Sequence, residues 1–446
     1  MEFSKKLETK DVRFGVVGLG YVGLPLAVEF ANENFKVTGI DIDESKVNKL
    51  KNGKNYISDV NDDELKRAVK NGYIKATTDF SVIKDLDFIS ICVPTPLNKL
   101  KDPDMSFIQN SMTEITKYLH KDLIIVLEST TYPGTTKEFL LPILEKTGLK
   151  VGKDIYLAFS PERVDPGNKI YKTKNTPKVL GGITSKCTEY SKKVYDQVFD
   201  KVVPVSSAET AEMTKLLENT FRMINIGLVN EMVMVCDKLG VDVWEVIDAA
   251  ATKPFGFMKF YPGPGLGGHC IPIDPHYLSW KMKSLNYKIR FIDLAAEINT
   301  AMPEYVIQNV SNGLNHHKKS INGSSVLLIG MAYKKNIEDL RESPSIDIYN
   351  LLVEKGAKVN YHDPYCPIVK VDGNSELKSK KLTEKLLRNS DVVVITTDHS
   401  NIDYQFIVDN AKLVVDTRNV TKKLKHTKNE VLKLGFLKGI KQWKNH

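Results

Sequence analysis

The segment Gly18-Leu19-Gly20-Tyr21-Val22-Gly23 constrains the fold more than any other stretch of the chain. It directly follows the apolar run Arg13 to Val17, which reads as a strand buried on both faces, and it opens a helical pattern that continues through Ala31. A second strand, Lys36 to Ile40, then ends on Asp41. Alone, GxGxxG is a weak signal; a strand, glycine turn, helix, strand and acid in this order is a specific one. Gly18 permits the tight turn, Gly20 lets the backbone approach a pyrophosphate, and Gly23 lets helix and strand pack closely. Tyr21 and Val22 lie in the same turn, where free N–H groups at the helix start face phosphates. Asp41 stands roughly 20 residues beyond the glycines, where a carboxylate accepts hydrogen bonds from ribose hydroxyls and repels a 2′-phosphate. The implied cofactor is NAD rather than NADP. Lys46 falls near the adenosine end, or equally on a solvated helix face.

The alternation continues with a strand at Asp87–Val93, a helix over 106–119, a strand at Leu123–Glu128, a helix after Gly134 and a strand at Ile155–Phe159. Strands alternating with helices predict a parallel sheet covered on both sides. From Ser207 the texture changes. Residues 208–239 form a long helical pattern with Gly227 as its single glycine, and Ser206-Ser207 followed by Glu209 supplies N-capping chemistry. A second helical stretch, 289–315, is interrupted by Pro303, and a loop rich in glycine and proline, 254–275, lies between them. The β/α rhythm returns at Ser324, with strands at Ser325–Gly330, Lys358–His362 (ending at Asp363), Asp391–Thr396 and Lys412–Asp416 and a helix over 345–355.

The expected fold class is therefore α/β: two Rossmann-like doubly wound domains joined by a helical central domain with a long spine helix. The domains run over 1–205 (NAD-binding), 206–320 (central, dimerisation, cysteine loop) and 321–446 (C-terminal, doubly wound). The long helices offer a natural surface for a homodimer or higher homo-oligomer.

With 446 residues the chain has length for two or three well-filled domains. Its net charge is +8, and much of the surplus is C-terminal: Lys422, Lys423, Lys425, Lys428, Lys433, Lys438, Lys441 and Lys444. These are spread out, and no nucleic-acid recognition module accompanies them, so no nucleic-acid partner is expected. A mildly basic surface does help draw in an anionic small substrate. The start of the chain, Met1 to Asp11, is polar and mixed in charge rather than a signal peptide, and no apolar run reaches membrane-spanning length. The expectation is a cytoplasmic protein without a membrane partner. The five cysteines (Cys92, Cys187, Cys236, Cys270 and Cys366) are odd in number, widely spaced and without CxxC, which suggests neither a disulfide framework nor a metal site.

Tyr261-Pro-Gly-Pro-Gly-Leu-Gly-Gly-His-Cys270-Ile-Pro-Ile-Asp274-Pro is the most informative loop. Its glycines let backbone approach a ligand and its prolines stiffen it. A cysteine ending such a loop, partly exposed beside a ligand, is a candidate nucleophile, since a thiolate is a strong nucleophile, or equally an incidental loop thiol. His269 is adjacent, but neighbours in a loop usually point apart. Asp274 comes within reach if the segment curls into a helical turn. Cys92, Cys187 and Cys236 fall in strand or helix patterns and read as inert thiols, and Cys366 falls in a polar loop.

Taken in order, Gly18–Gly23 with Asp41, Val93-Pro-Thr-Pro96, Glu128-Ser-Thr130, Ser160-Pro-Glu-Arg163, Lys215-Leu-Leu-Glu-Asn219, Gly263–Asp274, Gly330-Met-Ala-Tyr-Lys334 running into Asp339-Leu-Arg-Glu-Ser-Pro344, and Asp416-Thr-Arg418 resemble the UDP-glucose/GDP-mannose dehydrogenase family over nearly the whole chain. The resemblance implies a four-electron oxidation at C6 of a nucleotide-linked hexose with two NAD+ in succession. Cys270 then resembles the nucleophile that holds the aldehyde as a thiohemiacetal, carries the thioester made by the second hydride transfer, and is released by water. Lys215 and Asn219, four apart on one helical face, resemble the oxyanion stabiliser and the group fixing the sugar; the plain alternative is an exposed pair. Asp274 resembles a base acting with water, Glu162 the acidic group assisting thioester hydrolysis, and Thr130 a group near the nicotinamide or the water.

By the same resemblance Pro94, Thr95, Ser129 and Thr130 border the cofactor, and Arg341 closes over it. Tyr333, Lys334 and Arg418 contact the nucleotide half of a UDP-sugar, with Phe260, Tyr261 and Gly267 in the adjoining loop. The Gly330 turn lacks a full GxGxxG, in keeping with UDP rather than a second NAD.

Two stretches depart from the pattern of UDP-glucose enzymes: Val164-Asp165-Pro166-Gly167 in place of a glutamate, and Lys253-Pro254-Phe255-Gly256 where some relatives supply an arginine to a neighbouring subunit. The segment 160–168 is similar to the branch acting on UDP-N-acetylhexosamines, most of all UDP-N-acetylglucosamine, with Arg163 near the sugar. UDP-N-acetylmannosamine and UDP-glucose are the alternative substrates. A one-step hydroxyacid dehydrogenase would need neither Cys270 nor the C-terminal lobe, and a non-catalytic nucleotide sensor would not need Lys215, Asn219, Cys270 and Asp274 together.

Overall fold

The computed structural model describes residues 2–57, 59–98, 102–165, 167–168, 170–371, 375–424 and 429–436. Pro166, Lys425, Lys428, Lys438, Lys441 and Lys444 lie outside the described residues. The chain divides into two compact units, one of Met1–Glu218 with His276–Tyr287 and one of Asn219–Pro275 with Lys288–His446.

The first unit is built on a sheet of strands β1 (Arg13–Val17), β2 (Lys36–Ile40), β3 (Ile74–Thr77), β4 (Phe88–Ile91), β5 (Ile124–Leu127), β6 (Tyr156–Phe159), β7 (Lys178–Gly182) and β8 (Val202–Pro204). Their order is β3-β2-β1-β4-β5-β6-β7-β8. All neighbours are parallel except β6 and β7. The direction in which the chain adds strands reverses between β1 and β4, and in open α/β sheets ligands bind at the carboxyl ends beside that point. The strands are almost wholly apolar because helices cover both faces. Phe14, Phe30, Phe35 and Phe88 form one aromatic knot beneath the turn, with Phe14 and Phe30 stacked at 4.2 Å. Each such buried ring contributes roughly 1.5–3 kcal/mol, so the turn stands on a firm base.

The second unit carries β9 (Ser325–Ile329), β10 (Lys358–His362), β13 (Val392–Ile395), β14 (Leu413–Asp416) and β15 (Glu430–Lys433), all parallel, in the order β10-β9-β13-β14-β15. This is a doubly wound sheet whose order reverses between β9 and β13. A hairpin of β11 (Ile368–Val371) and β12 (Ser375–Lys378) is set apart from it. The long helix is Ala208–Leu239, and the Ser207 hydroxyl accepts the Thr210 N–H at its start.

One expectation is corrected and a second is refined. The helix read as interrupted at Pro303 is one continuous helix, Arg290–His316, with Pro303 buried inside it. A proline there removes a single N–H, and the carbonyl it strands belongs to Asn299. That carbonyl faces Gly265 of the cysteine loop, where a Cβ would lie 3.4 Å away. Cys366, read as lying in a polar loop, is 1% exposed. Its N–H donates to Asp363, which draws the loop inward. Among the described residues no helix is long and apolar enough to cross a membrane.

Candidate active site

In the first unit, Gly18 has a φ of +91° and ends β1 in the tight turn. A Cβ on Gly23 would lie 1.9 Å from the Gly18 carbonyl oxygen, so helix and strand can approach this closely only without one. At Gly20 nothing lies within 4 Å of where a Cβ would stand, which leaves the backbone open to a ligand. Tyr21 is exposed beside it. Asp41 Oδ2 accepts the Leu19 N–H at 2.8 Å and Oδ1 accepts the Asp43 N–H at 2.9 Å. Lys46 Nζ is 3.3 Å from Asp41 rather than solvated alone. The turn thus offers an open glycine, oriented N–H groups and a fixed carboxylate, the donor and acceptor set a dinucleotide requires.

The loops after β4 and β5 are stitched together. The Ser129 hydroxyl donates to the Val93 carbonyl at 2.8 Å, and the Thr95 hydroxyl donates to the Thr130 carbonyl at 2.8 Å. Tyr277 donates its phenol hydrogen to the Thr95 carbonyl. Thr130 itself is half-buried. These hydroxyls therefore hold the loop geometry. After β6, Glu162 Oε1 accepts the N–H groups of Arg163 and Val164. Arg163 is engaged too: its guanidinium pairs with Glu218 at 2.5 Å and donates to the Pro177 carbonyl at 2.6 Å.

On the long helix Lys215 and Asn219 are both buried and lie one turn apart. Glu212, one turn earlier, was missed in the sequence reading. Its carboxylate accepts the Gly134 N–H (2.6 Å), the Thr136 N–H (2.8 Å) and the Thr136 hydroxyl (2.7 Å). Burial raises its pKa to about 7 against these hydrogen bonds. The signal available was a glutamate on the same helical face as Lys215 and Asn219, one and two turns before them.

In the second unit Cys270 is exposed, whereas the other four cysteines of the chain are buried. The segment after it curls as anticipated: the Cys270 carbonyl accepts from Ile273 N–H (3.2 Å) and Asp274 N–H (2.8 Å). The sulfur-bearing residue therefore begins a helical turn, where backbone N–H groups favour negative charge. Asp274 is 2% exposed and accepts a 2.5 Å hydrogen bond from the Asn219 amide. Burial pushes the His269 imidazole below its ordinary value, with Arg341 adding to the push and Asp339 opposing it. His269 is thus neutral near pH 7.

The glycine-rich loop packs onto the carboxyl end of the second sheet. A Cβ on Gly263 would come within 2.6 Å of Arg418, and one on Gly267 or Gly268 would strike Tyr333. The Gly268 N–H donates to the Arg341 carbonyl, and the Arg341 guanidinium is paired with Asp339 at 2.7 Å. Arg418 donates from Nε to the Thr396 carbonyl, which orients its head group. Tyr261 donates to Asp248, and Phe260 meets Phe221 edge-on. Lys334 is half-buried in the turn after β9. Asn230, 0% exposed and also missed, accepts the Gly263 N–H and donates to Asn299, so a buried asparagine pins the start of the loop.

Known proteins resemble this chain along most of its length. Three family profiles match in succession: the UDP-glucose/GDP-mannose dehydrogenase family NAD binding domain over residues 12–199, its central domain over 209–301 and its UDP binding domain over 327–423. The chain belongs to the UDP-glucose/GDP-mannose dehydrogenase family, the NAD-dependent nucleotide-sugar dehydrogenases. It is 37% identical to protein CapL of Staphylococcus aureus, over 91% of this chain and 95% of that one. It is 36% identical to the UDP-N-acetyl-D-glucosamine 6-dehydrogenase of Pseudomonas aeruginosa, over 80% and 83%. The solved structure of a UDP-D-ManNAc dehydrogenase from Pyrococcus horikoshii superposes with a TM-score of 0.87 at 31% identity, covering 95% of this chain and 99% of that one.

Proposed function

We propose that the chain oxidises C6 of a UDP-N-acetylhexosamine to a carboxylate in two steps, through a thioester on Cys270. The observation that carries the reading is an exposed cysteine at the end of a glycine-rich loop, followed within one turn by Asp274 fixed against Asn219. Bound NAD+ supplies the hydride acceptor for each oxidation. Gly18, Gly20, Tyr21, Val22, Gly23, Asp41 and Lys46 would hold it, with Pro94, Thr95, Ser129, Thr130 and Arg341 bordering it.

The chain's own groups do the rest. Asp274, acting through a water, takes the C6 hydroxyl proton as the alcohol becomes an aldehyde. The Cys270 sulfur bonds to the aldehyde carbon, giving a thiohemiacetal whose oxyanion Lys215 stabilises. Loss of the second hydride leaves the thioester. A covalent hold on the aldehyde explains the need for a nucleophile, because the aldehyde stays in place while cofactor is exchanged. Asn219 and Arg163 would fix the sugar and Glu162 would take a proton from the hydrolytic water. Tyr333, Lys334 and Arg418 would hold the UDP, since cationic groups give charge-assisted hydrogen bonds to pyrophosphate oxygens. Phe260, Tyr261 and Gly267 would line the same loop.

We read the sugar as N-acetylglucosamine, a reading supported by the Pseudomonas relative. N-acetylmannosamine is a second reading, favoured by the Pyrococcus structure. A homodimer or higher oligomer belongs to the same proposal, supported by Phe221, Leu228 and Val235, which lie exposed at seven-residue spacing on one helix. Parallel assays with the two UDP-sugar epimers test the whole reading. Two NADH per sugar with the first epimer is the expected result, and one NADH per sugar would reduce the enzyme to a simple alcohol dehydrogenase.

A further inference from the structure

β7 is buried along its whole length, yet it begins with a lysine. Lys178 is 3% exposed, and its ammonium donates at 2.5 Å to Glu128 Oε2. Glu128 follows β5, is 1% exposed, and accepts on Oε1 from the Tyr195 hydroxyl (2.5 Å) and the Ser90 hydroxyl (2.9 Å). Tyr195 and Phe199 also present their ring faces to the ammonium at 5.4 and 5.2 Å. An enclosed ion pair is costly to build, and breaking it from one side is costlier.

The pair alone leaves the ammonium's third neighbour without a purpose. Glu162 Oε2 lies 3.8 Å from Lys178 Nζ. That separation is too long for a hydrogen bond and short enough for strong attraction. Glu162 Oε1 is already fixed by two backbone N–H groups, so the ammonium aims Oε2 without occupying its lone pairs. Arg163 does not do this work, because its guanidinium is committed to Glu218 and the Pro177 carbonyl. The charged and titratable groups that face this cluster are Lys178 from β7, Glu128 after β5, Glu162 after β6, the Tyr195 phenol from the helix Ser185–Tyr195 and the Cys92 thiol after β4. Burial disfavours the Lys178 ammonium, but Glu128 and Glu162 outweigh it and hold it above its ordinary value.

We propose that Lys178, anchored by Glu128, is a positioning residue for Glu162 in the hydrolysis of the Cys270 thioester. The inference rests on the thioester reading above. In that step the water gives one proton to the Glu162 carboxylate while its oxygen bonds to the thioester carbon. The carbon–sulfur bond then breaks, the sulfur leaves as thiolate and recovers the proton from Glu162, and the new carboxylic acid ionises to solvent.

The test compares Glu128→Gln/Lys178→Met, Glu162→Gln and the unmodified full chain. Rapid-quench NADH formation, steady-state turnover and the mass of the Cys270-containing peptide are measured for each. The double substitution removes both enclosed charges together and strands neither. It is expected to leave first-turnover NADH formation within about threefold of normal and to slow steady-state turnover by about 100-fold, with the sugar adduct accumulating on Cys270. Equal loss of both rates, or slow turnover with no adduct, overturns the inference, because a merely structural defect does not select one step. Should the double variant not fold, Lys178→Arg decides: the displaced charge should slow turnover about three- to tenfold with adduct visible, and wild-type turnover without adduct overturns the inference. An adduct in Glu162→Gln but none in the Lys178 variants defeats this inference alone. No adduct in Glu162→Gln defeats the thioester reading and the inference with it.

Discussion

The two sheets begin alike and use their second acid in opposite ways. In each, a first strand runs into a glycine with positive φ, Gly18 at +91° and Gly330 at +93°. In each, a second strand is followed at once by an aspartate, Asp41 or Asp363. Asp41 accepts two backbone N–H groups, stands beside a lysine ammonium, and has an open glycine nearby. Asp363 is sealed. It accepts the N–H groups of Met331, Ala332, Tyr365 and Cys366 and is bonded to Nε2 of the fully buried His399. The Asn336 N–H approaches Nδ1 of that imidazole, so Nε2 carries the hydrogen donated to Asp363. A carboxylate with that many internal donors has no capacity left for a ribose. The same turn is a closed structural lock in the second sheet and stays open beside Gly20 in the first, where we propose that NAD+ binds; Tyr333, Lys334 and Arg418 are the groups proposed for UDP in the second.

Substitutions can break that comparison. The largest effect should come from Asp363→Ala, which orphans several buried donors and should cost roughly 3–5 kcal/mol in chemical denaturation. Asp41→Ala orphans only the Leu19 and Asp43 N–H groups, so it should cost less, roughly 1–2 kcal/mol, and lost stability should not be its main effect. Instead it should weaken NAD+ binding by roughly 10- to 100-fold and narrow the preference for NAD+ over NADP+, as titration calorimetry would show. If the two variants exchanged phenotypes, the contrast would be wrong.

Arg418→Ala should come next, weakening UDP binding by roughly tenfold or more while NAD+ affinity stays constant. A smaller effect concerns acid. Burial raises the Asp363 carboxyl, but the His399 hydrogen bond and the backbone N–H groups outweigh it and hold it at about 2. Its folded value is depressed, so its contribution is present above the free value of about 4 and is lost as pH falls through about 2. The unmodified protein should lose stability over that window more steeply than Asp363→Asn, as read from unfolding midpoints at stepped pH. Gly20→Ala sharpens the contrast at the small end. It should change stability by less than about 0.5 kcal/mol, because nothing lies near the added methyl, yet weaken NAD+ measurably.

Most of the fold was legible because its strands are short apolar runs closed by glycine or an acid, as β1, β2, β9 and β10 are. β7 was not, since Lys178 and two glycines disguise a buried strand as a loop. β3 was not either, its four residues including a lysine. Pro303 reads as a break in sequence, but a single lost N–H does not end a 27-residue helix packed along its length. The cysteine loop announced itself through its glycines and prolines. Its supports Asn230 and Asn299 did not, nor did Glu212, which holds the Gly134–Thr136 turn: all three are polar residues on helices, and only tertiary contacts give them partners. Local pattern reveals the parts proposed to meet ligand, and hides the buried polar groups that hold those parts in place.

The sulfur of Cys270 bears the whole chemical account, and Cys270→Ser interrogates it most directly. The variant should bind NAD+ and UDP-sugar with near-normal affinity and form no uronate product over many hours. Uronate formed by that variant at the rate of the unmodified enzyme would contradict a thioester route outright.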